Sequence, residues 1–444
     1  MKKLLTPVIL FITLSSSFLS GCIQDKCEQT VTYFNYLPVY KSYAEIRASV
    51  QSEPAKDIVT PGKIYFKDAY IFISEVNKGI HIINNSNPYS PQNIGFINIP
   101  GNHDLAIKGN TLYADSYVDL LALDITDLTN VTVADRDENV FPYGWHHDGL
   151  WADPDSGIAV DWVEKEISET VDCGNNGGVF FDMPNVFIRS DVMAMGVQEF
   201  ASNSTIKNDA LGGNSGNSEF GTGVGGSLAR FTIVNDYLYA VTWTDLEVFD
   251  ITDMAHPQSV REVPIGWDIE TIFPTNNRLF IGAMSGMFIY SLDNPTNPTY
   301  LSQFSHVRSC DPVVVENDYA FVTLKNESGN VCDGFANQLD VINISDLTKP
   351  NLEYTYSMTA PSGLGIRNGV LFICDGSAGL KVYDATDVSK INKNLLAQFS
   401  DIQVTDVIPL HNLLLAIGKG GLYQYDYSDL QDIKQISLIP VVNE

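Results

Sequence analysis

Acidic residues and one histidine recur at a defined place in this 444-residue chain, at or just before short apolar runs that we interpret as strands. The six candidates are His103, Asp104, Asp268, Glu270, Asp311 and Asp406. Carboxylates that converge in a cleft can bind a cation or take part in acid–base chemistry. A solvated channel mouth, whose polar groups hydrogen-bond to backbone at strand ends, is the simpler interpretation. We therefore treat the six as a candidate binding site and predict neither a catalytic residue nor a metal ligand.

Other motifs that could carry chemistry are weaker. Trp145, His146, His147 and Asp148 form the most metal-like string, but neighbouring side chains of a strand point to opposite faces, so two adjacent histidines rarely bind one ion. No serine or cysteine lies in a G-x-S-x-G motif, and the glycine-rich stretch 212–226 lacks the Lys-Ser/Thr of a phosphate-binding loop. The sequence predicts no cofactor.

A five-residue apolar pattern that ends in Asp, Asn or Ser recurs along the chain. Its copies are Ile80–Asn84, Leu120–Asp124, Leu246–Asp250, Met287–Ser291, Leu339–Asn343, Leu380–Asp384 and Leu422–Asp426. Most copies begin 40 to 42 residues apart, and two intervals are longer, at 126 and 52 residues. A second apolar run precedes most copies, and an Asn, Asp or Gly turn precedes that run.

Each repeat therefore predicts four short strands joined by tight turns. A period of about 40–45 residues with four strands per unit is typical of a propeller blade. The middle strands are continuous apolar runs, as expected for strands covered on both faces. We predict an all-β fold, a β-propeller of about seven four-stranded blades over residues 58–444. The Ser/Thr-Asp string after most copies resembles a calcium loop superficially, but it lacks the spaced ligands of an EF-hand, so we predict a structural turn.

The repeated pentapeptide resembles the LVIVD-repeat family of bacterial lipoproteins, which is named for such a motif. The resemblance covers roughly residues 58–444, although Asn84, Asn343 and Ser291 depart from the terminal Asp. It implies a propeller fold and an exported protein. It implies little about biochemistry, because the family is largely uncharacterised.

The first 21 residues have the basic start and apolar centre of a secretory signal peptide, and they end in Leu19-Ser20-Gly21-Cys22. This resembles the lipobox of bacterial lipoproteins, which implies lipid attachment at Cys22 and a tether over residues 22–57. The missing Asp after Cys22 points, by the enterobacterial sorting rule, to the outer membrane, on its periplasmic side or at the cell surface. The formal charge is −28, and removing the signal takes away two lysines and no acid. So acidic a chain is not expected to bind nucleic acid.

The longest interval between repeats holds a predicted loop-rich insertion over residues 141–226, between the second and third units. It contains Trp145, Trp151 and Trp162, which indicate either a small satellite core or a binding surface. Export permits disulfides, and we predict one between Cys310 and Cys332 on the face that carries the insertions. Cys374 is the competing partner, and the partners of Cys27 and Cys173 stay open.

Two functions are compatible with the sequence. The first is a cell-envelope lipoprotein whose propeller is a binding or scaffolding module for an unknown protein, glycan or small molecule. The alternative is a metal-dependent propeller hydrolase or lactonase with its site at the channel mouth. The alternative needs three or four carboxylate or histidine ligands that meet at the channel axis, whereas the first predicts dispersed acids and an exposed aromatic patch on the insertion.

Overall fold

The computed structural model of the chain describes residues 28–145, 151–172, 223–306, 312–326 and 336–442. Within these residues, seven antiparallel β-sheets each have four consecutive strands as their basic unit. The predicted all-β propeller of seven four-stranded blades is therefore confirmed. Chain contacts divide the structure into two units, a propeller and a small β-arm, which are described separately below.

The strands of the seven blades follow in the order of the blades. The innermost strands are β3 (Pro61–Lys67), β7 (Leu105–Lys108), β15 (Phe231–Val234), β19 (Ile269–Thr275), β23 (Val313–Glu316), β27 (Leu364–Arg367) and β31 (Val404–Pro409). The second strands are β4 (Tyr70–Glu75), β8 (Thr111–Ser116), β16 (Tyr237–Val241), β20 (Arg278–Ala283), β24 (Tyr319–Leu324), β28 (Val370–Cys374) and β32 (Leu413–Gly418).

The outer half of each blade contains the repeated pentapeptide and one further strand. The third strands are β5 (Gly79–Asn84), β9 (Asp119–Asp124), β17 (Asp245–Asp250), β21 (Gly286–Ser291), β25 (Gln338–Asn343), β29 (Leu380–Asp384) and β33 (Gly421–Asp426). The outermost strands are β6 (Gln92–Asn98), β10 (Thr132–Asp137), β18 (Gln258–Pro264), β22 (Thr299–Ser305), β26 (Asn351–Ser357), β30 (Leu395–Phe399) and β34 (Lys434–Pro440).

The remaining elements flank the blades. The helix α1 (Tyr43–Ala48) begins with a capping box made by Ser42 and Glu45. Two short 3₁₀ helices lie in blade 6 and its outer connection, at Gly376–Ala378 and Val388–Lys393. The other strands are β1 (Glu28–Lys41), β2 (Gln51–Glu53), β11 (Gly144–Trp145), β12 (Trp151–Asp153), β13 (Gly157–Asp172) and β14 (Val224–Gly225).

The last residue of the pentapeptide shapes the turn that follows it in every blade. The side-chain oxygen of Asp124 accepts a hydrogen bond from the backbone N–H of Thr126 at 2.8 Å. The same bond is made by Asn84, Asp250, Ser291, Asn343, Asp384 and Asp426 to the residue two positions on. Asn and Ser keep the acceptor oxygen that this turn requires, so the departures from Asp preserve its structure.

The seven innermost strands form a closed ring in which β31 of blade 7 lies beside β3 of blade 1. The two ends of the ring are also joined by backbone, because Ile58 makes a parallel bridge with Val441 and accepts a hydrogen bond from Val442 N at 2.8 Å. Glu75 holds this closing segment by accepting hydrogen bonds from Val59 N and Thr60 N. The strand β2 adds a fifth, outer strand to blade 1 by pairing with β6. The ring is therefore closed between blade 7 and blade 1.

The core of the propeller is distributed between neighbouring blades. Ile64 and Ile71 of blade 1, for example, pack in one cluster with Leu415 and Ile417 of blade 7, and all four are buried. Because the middle strands are covered on both faces, their sequences are continuous apolar runs. The turns between second and third strands and the connections between blades lie on one face, which we call the mouth face.

The β-arm comprises residues 28–40 and 159–172, from β1 and the distal part of β13. Thr32 contacts Ser168, and the Tyr36 hydroxyl donates to Glu164 at 2.9 Å, so the residue numbers rise on one strand as they fall on the other. The two strands are therefore antiparallel. The segment 22–57, expected to be a tether, contributes β1, α1 and β2 from Glu28 onwards. Within the described residues, no helix is both long enough and apolar enough to cross a bilayer.

Candidate ligand site at the channel mouth

The centre of the propeller is filled by its own chain. Residues 223–230, which include the end of the predicted insertion and precede blade 3, hydrogen-bond to inner strands of most blades, and we call this segment the plug. The partners in blades 1, 2, 4, 6 and 7 are Ile64, Ile107, Ile272, Leu364 and Asp406. A segment that reaches five blades around a ring can only lie at its centre, so the axis is not an open channel here.

Close packing against the inner strands explains why the plug contains glycines. A Cβ on Gly226 would lie 1.9 Å from an Asp406 carboxylate oxygen, and a Cβ on Gly223 would lie 2.2 Å from the ring of Tyr65. Only residues without a side chain fit so close to the inner strands. The glycine-rich end of the predicted insertion therefore packs inside the propeller, and its strand β14 pairs with β3 at Phe66 and Tyr65.

Two of the predicted site residues anchor the plug. Asp104 accepts hydrogen bonds from Leu105 N at 2.7 Å, from Phe231 N at 3.1 Å and from Arg230 N. Asp406 accepts from Val407 N at 2.9 Å and from both the backbone N and the hydroxyl of Ser227. Both carboxylates are almost fully buried. They accept hydrogen bonds from backbone, as the simpler interpretation expects, but they are buried against the plug, whereas that interpretation expects solvated groups.

Burial dominates the electrostatics of these carboxylates. It raises the pKa of Asp104 to about 6 and that of Asp406 to about 6, although nearby Lys63 and the backbone hydrogen bonds oppose the shift. Lys63 donates to the carbonyl of Leu228 in the plug, and burial lowers its pKa against the pull of Asp104 and Asp406. The centre of the ring is therefore a buried network of mixed charge.

A cavity opens beside this network on the mouth face, between blades 2 and 3, and we call it the mouth pocket. Its volume is about 230 Å³. Two kinds of side chain line it. We call the polar ones its floor: His103, Asp104, Asp115, Arg230, Thr242 and Thr244. We call the aromatic ones its walls: Tyr117, Phe141, Tyr143, Phe231 and Trp243. Enclosed apolar walls with a few convergent polar groups are typical of small-molecule sites.

The polar groups of the mouth pocket are held in place by their neighbours. His103 donates its backbone N–H to Asp115 at 2.8 Å, and its Nδ1 lies 3.4 Å from the other oxygen of that carboxylate. Burial alone would raise the pKa of Asp115, but its hydrogen bonds to His103 and Asp104 N bring that pKa below the usual value. Arg230 donates to Ile269 O at 3.2 Å, and its guanidinium lies 5.8 Å from the Trp243 ring centroid.

Among the remaining predicted site residues, Asp268 and Glu270 do not line the pocket. Asp268 precedes β19 with φ of 60°, and its carbonyl accepts a hydrogen bond from Met284 N. Glu270 lies in β19, and its charge acts on Arg230 and Lys63. Asp311 lies outside the described residues, as do Cys22, Cys310, Cys332 and the side chains of Trp145 to Asp148. The predicted disulfide therefore stays a prediction, while Cys374 is a buried free thiol in β28.

Sequence reasoning missed the residues that give the pocket its character. Asp115, Tyr143, Arg230 and Trp243 come from four separate stretches of chain, and none lies in a repeat motif. Within the described ranges, Trp151 and Trp162 of the insertion are half-buried, whereas the exposed tryptophans are Trp243 and Trp267. Of the exposed aromatic patch expected on the insertion, the described residues show Tyr143, whereas both exposed tryptophans lie on blade 3 and its connection to blade 4.

The residues that the structure describes do not form a metal centre. Across the described ranges, no three His, Cys, Asp or Glu side chains are close enough together to hold an ion. The hydrolase alternative requires ligands that converge on the axis. That axis is occupied by the plug, and Asp104 and Asp406 there are bonded to backbone N–H groups.

No family model and no curated protein matches this chain. Solved structures with a similar course of the chain include the computationally designed Ika8 protein, at 8% identity and TM-score 0.49, covering 88% of this chain and 91% of that one. Sqt1 from Saccharomyces cerevisiae has 10% identity and TM-score 0.47, covering 90% and 87%. BamB from Moraxella catarrhalis has 6% identity and TM-score 0.43, covering 88% and 94%. Similarity this distant gives no information about function. By its own topology, the chain is a seven-bladed β-propeller with a filled centre.

Proposed function

We propose that this protein is a lipid-anchored binding module of the cell envelope, whose ligand occupies the mouth pocket. The anchoring half of the proposal rests on the signal-like N-terminus that ends at Cys22 and on the resemblance of the repeats to the LVIVD family. The binding half rests on one observation: an aromatic-walled cavity of about 230 Å³ lies on the mouth face beside a centre that the chain itself fills. Binding is thus displaced from the axis to the junction of blades 2 and 3.

Binding is favoured by two large aromatic side chains that are left partly exposed at the pocket. Trp243 is 36% exposed and Tyr143 is 41% exposed, although large aromatic side chains gain free energy by burial. Trp243 lies over the Arg230 guanidinium, and the Tyr143 hydroxyl donates a hydrogen bond to Asn139 at 2.7 Å. Rigid, partly exposed rings above fixed polar groups need little reordering when a ligand binds.

A thermal-shift screen of polar metabolites tests this proposal. The protein is the full chain with Cys22→Ser, secreted without lipid. A compound that binds the folded state raises the thermal midpoint by mass action, and the shift should disappear in Trp243→Ala. Tyr89→Ala is the matched control, because Tyr89 is also exposed but lies between β5 and β6 on the opposite face. A screen without hits, or hits that shift Trp243→Ala as much as the wild type, would contradict the proposal.

A further inference from the structure

The polar floor of the mouth pocket combines donors and acceptors of opposite charge. Arg230 supplies a guanidinium, Asp115 a carboxylate and His103 an imidazole. Burial lowers the pKa of Arg230, and the nearby negative charges of Asp104, Glu270 and Asp115 oppose that shift. A charged ligand of either sign would therefore also lie close to a group of the same charge, which would repel it. Hydroxyl groups suit such a floor, because each can donate to a carboxylate and accept from a guanidinium.

The walls of the same pocket suit the faces of a saturated ring. Trp243 and Tyr143 are the partly exposed rings, and Tyr117 and Phe141 close the pocket behind them. The C–H faces of a sugar ring are apolar while its edge carries hydroxyls, so aromatic walls and a polar floor match the two sides of one molecule. A peptide side chain would use the walls but would leave most of the polar floor unmatched.

A second aromatic platform stands beside the pocket. Trp267 is 78% exposed, more than any other large apolar or aromatic side chain whose burial the structure describes. Its loop is tied to the turn that carries Trp243 by three backbone hydrogen bonds, from Ile265 N and Gly266 N to Thr244 O and from Ile269 N to Trp243 O, at 3.0 to 3.1 Å. The two backbone segments that carry the tryptophans are therefore held together on the mouth face.

We propose that the mouth pocket binds one residue of a neutral oligosaccharide and that Trp267 stacks on a further residue of the same chain. This rests on the proposed function, since it assigns a ligand class to the same pocket. The pocket has a floor of mixed charge and aromatic walls. Together with the exposed ring of Trp267, it forms an extended site. A free monosaccharide uses the pocket alone.

The test begins with an array of neutral glycans, probed with the full-length Cys22→Ser protein. The strongest oligosaccharide and its monosaccharide unit are then titrated calorimetrically. Trp267→Ala should weaken the oligosaccharide about tenfold, as expected for the loss of one stacked ring, and leave the monosaccharide unchanged. Trp243→Ala should abolish both, with Trp243→Phe restoring part of the affinity if the loss is not one of folding. Tyr89→Ala should bind both as the wild type does.

Each contrary outcome has a distinct meaning. An array with no neutral glycan bound would overturn the sugar assignment, and a Trp243-dependent metabolite from the thermal screen would then leave the proposed function intact. Equal loss of monosaccharide and oligosaccharide affinity in Trp267→Ala, or no loss of either, would overturn the second subsite. Binding that survives in Trp243→Ala would overturn the proposal entirely, as would binding only to a protein.

Discussion

The two plug-binding carboxylates illustrate how one residue type serves opposite electrostatic roles in this fold. Asp104 and Asp406 are buried and have a raised pKa, whereas Asp426, at the end of a pentapeptide, is only half-buried and has a lowered pKa because Ser428 hydrogen-bonds to it. The raised pKa means that the folded state prefers the protonated acid. Stability from Asp104 and Asp406 is therefore fully present below the unfolded pKa and is lost as the pH rises through about 6.

The pH dependence of this effect can be isolated by substitution. We expect the free energy of unfolding of the wild type, relative to Asp406→Asn, to increase by on the order of 2 kcal/mol between pH 7 and pH 4.5. For Asp426→Asn the corresponding difference should stay level over that range and fall only below about pH 4, because a lowered pKa has the opposite sign. Urea unfolding at several pH values measures both. A level difference for Asp406→Asn would contradict the assignment of a buried, backbone-bound carboxylate.

The turn after the pentapeptide gives a second prediction at this scale. Asp250 accepts a hydrogen bond from Thr252 N at 2.8 Å, and Asn stands at the same place in blades 1 and 5. Asp250→Ala should therefore lower the free energy of unfolding by about 1 kcal/mol, while Asp250→Asn should change it little. Chemical denaturation of the two variants compares them directly. Equal losses would indicate that charge, and not the acceptor oxygen, matters at this position.

Among the elements, the blades were predictable from sequence and the plug was not. Seven pentapeptides with hairpin turns mark strands whose partners lie close along the chain, so local pattern carries the information. The plug has no apolar periodicity, and its contacts span 126 residues from Asp104 to Arg230 and 179 residues from Ser227 to Asp406. Predicted site residues were consequently placed around an open mouth, whereas Asp104 and Asp406 bind the protein's own backbone.

The plug can be tested with two adjacent glycines. A Cβ on Gly226 would lie 1.9 Å from Asp406, but a Cβ on Gly225 would lie no closer than 3.3 Å to any atom. Gly226→Ala must displace the plug or the carboxylate and should lower the free energy of unfolding by about 1–3 kcal/mol. Gly225→Ala should cost clearly less. Urea unfolding of the pair provides the measurement, and equal stability of the two variants would show that the segment does not run against the inner strands.

At the scale of the whole molecule, the proposed anchor and the proposed binding face belong to different parts of the chain. Cys22 precedes β1, whereas the mouth pocket is formed between blades 2 and 3. Stable membrane attachment requires more than one acyl chain, because each buried CH₂ contributes only about 0.8 kcal/mol. A multiply acylated Cys22 would therefore hold the protein at the membrane while the propeller remains the part that meets a ligand.

Substitution of the anchoring cysteine tests this arrangement. Cys22→Ser should move the protein from the membrane fraction to the soluble fraction of the cell envelope, while its thermal midpoint matches that of the detergent-solubilised wild type. Fractionation with immunoblotting measures the distribution, and Cys374→Ser is a control that should remain in the membrane, since Cys374 is buried in β28. Retention of Cys22→Ser at the membrane would contradict lipidation at this residue.

The chain fills its own channel, and we propose that its ligand binds beside that channel and not within it. Crystallographic fragment screening of the Cys22→Ser protein tests this most directly, because it maps binding sites whatever the natural ligand is. We expect density for residues 223–230 along the axis and bound fragments clustered between Trp243 and Tyr143. An empty axis, with fragments bound there and none between blades 2 and 3, would contradict both the filled centre and the displaced binding site.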